Sequence, residues 1–365
     1  MKNGKLLLFI MELLVPKLNF PPFSHIKEKL RQPLEQVIFC LYGHPSKFIS
    51  GIRSKPRYLD EHVKTTIALT WEKSQLLFEF YKPGNFPSFV SRKNDSINLD
   101  TVVLFKKICH LVPSDSDPFY KLEDMNAFLL GNREDIPRVE KIIGNGISYI
   151  YYLIADHYFK ASSNQSWENA IKYYMLDLCL HPEELNSWAG LAMSTSTQME
   201  TWLNNFYPDI NEEKYLMKAK ISRRSYQQAV KLSPLHVTIW TEFGHFLYTV
   251  HSFCSRLLKQ ESDSLSMEKF KTFETQKEEM LDESRDCFLT AELVYLTGQA
   301  IDEPQDERWL YQYMLAKIAE KKKEEPPNFL KYYSNWTHKK YQIAKQQNAR
   351  TLTVKASVRD EDAAT

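Results

Sequence analysis

His251 and Cys254 stand three residues apart on a predicted helix, the closest that histidine and cysteine come to a metal-ligand spacing in this chain. A structural zinc takes four ligands, and no second pair accompanies these two, so core packing is the expectation for both. Asp115 and Asp117 alternate as in a calcium loop, but the glycine and the closing glutamate of such a loop are missing. Gly144-Asn145-Gly146 has two of the glycines that let a backbone approach a phosphate, and it reads as a loop before a helix at Tyr149. Glu183-Glu184 and Glu278-Glu279 are paired carboxylates of the kind used in general acid–base work. Both pairs fall where solvated helix faces are expected. The P-loop, zincin and nucleophile-elbow patterns do not occur. The expectation is therefore no catalytic residue, no metal, no cofactor and no enzyme.

Composition narrows the class further. Hydrophobic residues make up 43% and charged residues 25% of the 365, which is globular and not disordered. Only 10 glycines occur, well under the usual roughly 7%, which disfavours hairpin-rich sheets and suits long helices joined by short turns. The net charge of +1 gives no whole-chain footprint for nucleic acid. Five widely spaced cysteines without a C-x-x-C read as reduced thiols. Locally, Lys218, Lys220, Arg223, Arg224 and Lys231 gather on one predicted helix, with Lys214 beside them. They form either a solvated helix face or a docking patch for an acidic partner. Lys339, Lys340, Lys345 and Arg350 enrich the C-terminal end.

Helical periodicity supplies the elements that must carry these residues. In an apolar helix over 1–15, ended by Pro16, Lys2 and Lys5 precede the apolar run from Leu6 in the manner of a signal peptide. Glu12 interrupts its apolar run, no small-residue cleavage site follows, and the run is too short to span a bilayer. It reads as a buried helix whose preceding partner is missing, in a chain that begins inside a larger architecture. Helices are predicted over 25–42, closed by Gly43 and Pro45; from Thr70 to Pro83; over 99–111; and around 122–130. Residues 1–112 thus form an N-terminal helical segment. Pro-Ser-Asp-Ser-Asp-Pro at 113–118 opens an expected linker with a short helix over 113–137.

From about residue 138 the stripes become dense and recur. Ala170, Tyr174 and Pro182 have the mutual spacing of the small residue, aromatic and proline in the second helix of a tetratricopeptide repeat. Trp188 follows Pro182 by six, with Leu191 and Ala192 where the repeat has Leu-Gly. Ser222, Tyr226 and Pro234 restate the triplet, and Trp240, Phe243 and Gly244 restate the signature. Pro182 to Pro234 is 52 residues, 18 more than one 34-residue repeat, which implies an insertion around 197–214. Trp309 opens a further helix pair, 309–321 with Leu315-Ala316 in the Leu-Gly slot, then 326–341. Small residues let paired helices approach, and aromatics fill the space above them. Each hairpin leaves an apolar face that its neighbour must bury. The fold expected is all-α, a tetratricopeptide-like helical repeat solenoid over 138–335, with a disordered tail over 336–365. On this register Trp240→Ala is expected to cost about 3–5 kcal/mol.

Five stretches carry a resemblance. They are Leu34–Tyr42 (LEQVIFCLY), Arg57–His62 (RYLDEH), Ala170–Met175 (AIKYYM) leading to Ser187–Gly190 (SWAG), His251–Gln260 (HSFCSRLLKQ), and Trp309–Lys321 (WLYQYMLAKIAEK). In this order the chain resembles the calcineurin-binding protein cabin family, the large repeat subunit associated with the HIRA histone chaperone. The resemblance implies a nuclear, non-catalytic scaffold that supports replication-independent histone deposition. Its implied partners are HIRA-type chaperone subunits and, indirectly, histones, with no direct nucleic-acid site and no membrane. The family protein is far longer, so the chain looks like an internal slice. The family's calcineurin-binding segment has no counterpart here, and the match fades after about Tyr333. A generic adaptor that binds peptide tails of cytosolic clients is the alternative that repeat spacing alone leaves open.

Overall fold

The structure is a computed structural model that describes residues 4–18, 21–44, 67–140, 149–161, 163–204, 211–260, 265–302 and 308–338. Every regular element among them is a helix, and no strand occurs among the described residues. The chain falls into two compact units, residues 1–198 with 220–222 and residues 199–219 with 223–365.

The first unit opens with α1 (Lys5–Leu18) and α2 (Ser24–Tyr42). Pro16 lies inside α1 and does not end it. A proline in the last turn forfeits one backbone bond, and the buried pair Val15 and Leu18 carries the apolar face past it. Gly43 closes α2 as expected. Its φ of 67° is left-handed, and its amide returns to the Phe39 carbonyl at 2.8 Å. Next come α3 (Trp71–Tyr81), with Thr70 at its N-cap, and α4 (Leu99–Cys109). The unit continues with α5 (Leu122–Leu130), α6 (Ile150–Lys160), α7 (Asn164–Leu180) and most of α8 (Leu185–Asn204). Helix α1 packs on α2 and α3, α4 on α3 and α6, and α7 on α5 and α6. Helix α6 is buried on all sides from Ile150 to Asp156, which makes it the centre of this core.

The stretch 113–137, expected as a linker, is packed. Pro118 and Ser116 are buried in its 3-10 turns, and Met125, Phe128 and Leu129 of α5 are core residues. The Pro-Ser-Asp run marks turns there, because Asp117 caps the turn that leads to α5 by accepting the Phe119 amide at 3.0 Å. The division between the two units falls within α8 and α9.

The second unit holds most of α9 (Glu212–Leu232), then α10 (Val237–Gln260), α11 (Met267–Leu296), α12 (Arg308–Lys321) and α13 (326–338). Helices α10 and α11 form a long hairpin, and α12 packs on α11. Their core gathers Val237, Leu281, Phe288, Tyr311, Leu315 and Ile318. Asn98, Ser163, Asn211 and Ser266 start α4, α7, α9 and α11 by accepting the amide three residues on. The predicted insertion at 197–214 partly lengthens helices, since α8 runs on to Asn204 and α9 begins at Glu212. Its residues 205–210 lie outside the described residues. So do Gly144–Gly146, Arg57–His62, Lys339, Lys340, Lys345 and Arg350. The expected disordered tail is described only over 336–338, which continue α13.

Candidate interaction site

Two tryptophan–proline pairs share one hydrogen bond. Trp188 Nε1 donates to the Pro182 carbonyl at 2.9 Å, and Trp240 Nε1 donates to the Pro234 carbonyl at 2.8 Å. Four residues beyond each tryptophan the backbone carbonyl accepts a serine hydroxyl from the next helix. Ser222 Oγ reaches Ala192 O at 3.1 Å, and Ser284 Oγ reaches Gly244 O at 2.8 Å. An aromatic follows each serine by four: Tyr226, whose ring stacks on Phe243 at 5.1 Å, and Phe288, which lies over Gly244. Ala170, Tyr174, Trp188, Leu191, Ala192, Tyr226, Phe243 and Gly244 are all buried. Pro182, Trp240 and Trp309 are half-buried and Pro234 is exposed, so the tryptophan slots are not equivalent.

Sequence reasoning missed two members of this set. Gly190 precedes the Leu-Gly slot by one residue, and a Cβ there would lie 2.6 Å from Tyr174 Cε1 and Oη. The close approach of α7 and α8 therefore depends on that glycine. Ser284–Phe288 is the third small-residue/aromatic pair. It sits 40 residues beyond Gly244, whereas Ser222 sits 30 beyond Ala192, and that drift hid it.

Each tryptophan helix is entered through a carboxylate. At α8, buried Asp177 accepts the Ser187 hydroxyl at 2.5 Å and faces His181 Nδ1 at 3.1 Å. Burial works against the His181 charge, but the Asp177 hydrogen bond and charge win and raise its pKa. At α10, Asp302 accepts the amides of Val237 and Thr238 at 2.8 Å each, and the Thr238 hydroxyl at 2.5 Å. His236 Nδ1 stands 2.9 Å from the same carboxylate. Burial opposes the Asp302 charge, yet the bonds from His236, Thr238 and Val237 hold its pKa well below the usual carboxylate range.

A mixed aromatic and cationic face lies in the second unit. Lys317 Nζ sits 5.1 Å from the Tyr248 ring centroid and 5.3 Å from that of Tyr313. Trp336 and Tyr333 of α13 extend the face, with Trp336 5.4 Å from Tyr313. Desolvation, helped by the nearby Lys317 charge, lowers the pKa of His245 to about 4. These rings, and Lys317 with them, are half-buried.

His251 and Cys254 are buried. The His251 Nδ1 lies 2.9 Å from the Lys277 carbonyl, and burial pushes the Cys254 thiol up to about 12. Among the described residues, no three His, Cys, Asp or Glu side chains gather to hold a metal. Glu184 accepts from Asn186 at 3.0 Å, Glu183 faces Arg138 at 3.9 Å and Glu278 faces Lys277 at 3.1 Å. One buried polar group went unforeseen. Lys160 Nζ meets Asp156 Oδ1 at 2.6 Å, Ser91 Oγ at 2.6 Å and the Ser88 carbonyl at 3.3 Å. Three acceptors match the three ammonium protons, so this lysine staples the 88–96 loop to α6.

The basic residues of α9 do not share one environment. Lys220 and Lys231 are exposed, while Lys218, Arg223 and Arg224 are half-buried. Arg223 pairs with Glu283 of α11 at 2.7 Å. No helix among the described residues is long and apolar enough to cross a membrane. A scan of the sequence against protein-family models finds no match.

Proposed function

We propose that this chain is a non-catalytic protein-interaction scaffold built of tetratricopeptide-like helical repeats. The observation that carries the reading is the double recurrence of one hydrogen-bond pair: tryptophan indole to the proline carbonyl six residues back, and serine hydroxyl to the carbonyl four residues on from that tryptophan. A repeated packing device is what stacked hairpins need, and stacked hairpins offer an extended face for another protein. The resemblance of the Leu34–Tyr42, Ala170–Gly190, His251–Gln260 and Trp309–Lys321 stretches supports a narrower version. On it, the scaffold is nuclear and assists replication-independent histone deposition beside HIRA-type chaperone subunits. The half-buried rings around Lys317 are the face assigned to the partner. The test is co-purification of the tagged chain from nuclear extract, with Tyr313→Ala and Lys317→Glu in parallel. Recovery of HIRA-type subunits, lost with those variants, is expected. Recovery of other clients alone would remove the chromatin reading.

Lys317 also favours the adaptor reading, because an ammonium held between tyrosines suits a peptide carboxylate. A synthetic chaperone-tail peptide with a free C-terminus, compared with its amidated form, separates the two. Binding that needs the free carboxylate and Lys317 would make the chain an adaptor for cytosolic clients.

A further inference from the structure

Two helices leave apolar stripes in solvent, and the stripes match. On α1, Leu6, Phe9 and Leu13 are exposed, although Met11, Val15 and Leu18 on its other face are core residues. On α11, Leu289, Leu293 and Leu296 are exposed, although Phe288, Ala291 and Val294 beside them are buried. Single exposed leucines need no explanation, but three in line along one helix mark a surface that is covered in use. Read backwards along α1, the intervals are four then three (13 to 9 to 6); read forwards along α11 they are also four then three (289 to 293 to 296). An antiparallel pairing therefore sets Leu13 on Leu289, Phe9 on Leu293 and Leu6 on Leu296, all in one register. The parallel pairing misses by one residue.

Charges agree with the antiparallel choice. Lys17, one turn past Leu13, then faces Asp286, one turn before Leu289, and both are exposed. Lys5 meets the C-terminal end of α11, where the last carbonyls carry partial negative charge. Two other carboxylates beside the stripes are already engaged. Glu12 pairs with Lys73, and Glu292 accepts the Gln312 amide at 2.7 Å, so neither opposes the docking.

We propose that α1 of one molecule docks antiparallel on α11 of a second copy, joining like chains head to tail. The two stripes are different surfaces, so a single contact leaves one stripe free on each molecule, for reciprocal closure into a dimer or for a further copy. This inference does not rest on the partner assigned above.

Sedimentation velocity on the full chain over about 1–100 µM, the range where contacts of a few side chains associate, reads it directly. The wild type is expected to shift from monomer to dimer or larger species as concentration rises. Phe9→Glu and Leu293→Glu alter side chains that are 59% and 62% exposed, so each should keep its helix content and remain monomeric. Mixed in equal amounts, the two variants should form a one-to-one dimer and nothing larger, because one intact α1 and one intact α11 remain between them. If Phe9→Glu disturbs α1 by circular dichroism, Leu6→Gln on the same stripe takes its place. A wild type that stays monomeric throughout, a single variant that still assembles, or a mixture that does not would each overturn the proposal.

Discussion

Trp188 and Trp240 make the same hydrogen bond to a proline carbonyl six residues back, yet they live in different surroundings. Trp188 is 0% exposed, with the Phe128 ring 6.2 Å from its own. Trp240 is half-buried, with one flank on the α10–α12 core and the other in water. The indole bond fixes where the ring points, and the neighbours decide how much apolar area that orientation removes from water. A shared local geometry therefore does not imply a shared energy.

The sharpest way to break this comparison is to remove both rings. Trp188→Ala should cost about 3–5 kcal/mol in urea unfolding, the range for a fully buried large aromatic. Trp240→Ala should cost about 1–3 kcal/mol, since part of its area never left water; this lowers the value that the sequence register predicts. Equal losses would sink the argument from burial.

The glycines give the second contrast. Gly190→Ala places a methyl group against Tyr174, whose ring is locked in the core, and should cost about 2–3 kcal/mol by overpacking. At Gly244 the new Cβ would meet the equally buried Phe288 ring at 2.9 Å, a shallower clash than the approach to Tyr174 at Gly190. The helix propensity gained offsets part of the strain, so Gly244→Ala should cost about 1–2 kcal/mol, less than Gly190→Ala. Thermal melts of the two variants check the ranking.

The two helix entries differ in pH response. His181 has a raised pKa, so its contribution is complete below about 6.5 and fades as pH rises through its folded value. Asp302 has a lowered pKa, so its contribution is complete above about 3.9 and fades as pH falls. His181→Gln should flatten the alkaline side of the stability–pH profile, and Asp302→Asn the acid side, by about 1 kcal/mol each. A single variant that flattened both sides would refute the assignment. The smallest effect is a gain. The Tyr174 hydroxyl is buried with no hydrogen-bond partner among the described residues. Tyr174→Phe should therefore stabilise by about 0.5–1 kcal/mol, read as a higher midpoint in urea.

Helix type and most helix ends were legible in the sequence. Gly43 and Pro83 are local stop signals, and Leu122–Leu130 matches the apolar run read there. The Trp, Pro and small-residue spacings were legible too, since each sits within one helix or one turn of its partner. What escaped depends on distant chain. Asp302 acts on residues 64 and 65 positions earlier, and Ser284 on a carbonyl 40 positions earlier. The 113–118 run looked like a spacer because turn chemistry and linker chemistry use the same residues; burial of Pro118 distinguishes them. Partial exposure of Trp240 was equally invisible, because periodicity gives the face of a helix and not what covers it.

Asp302 has a consequence for how the chain is made. On the ribosome, α10 emerges with its first two amides unanswered, and the carboxylate that satisfies them follows 65 residues behind. Until translation has passed the whole of α11, that opening turn lacks its cap. Synthesis order makes this residue a latch that closes only after the bolt is in place.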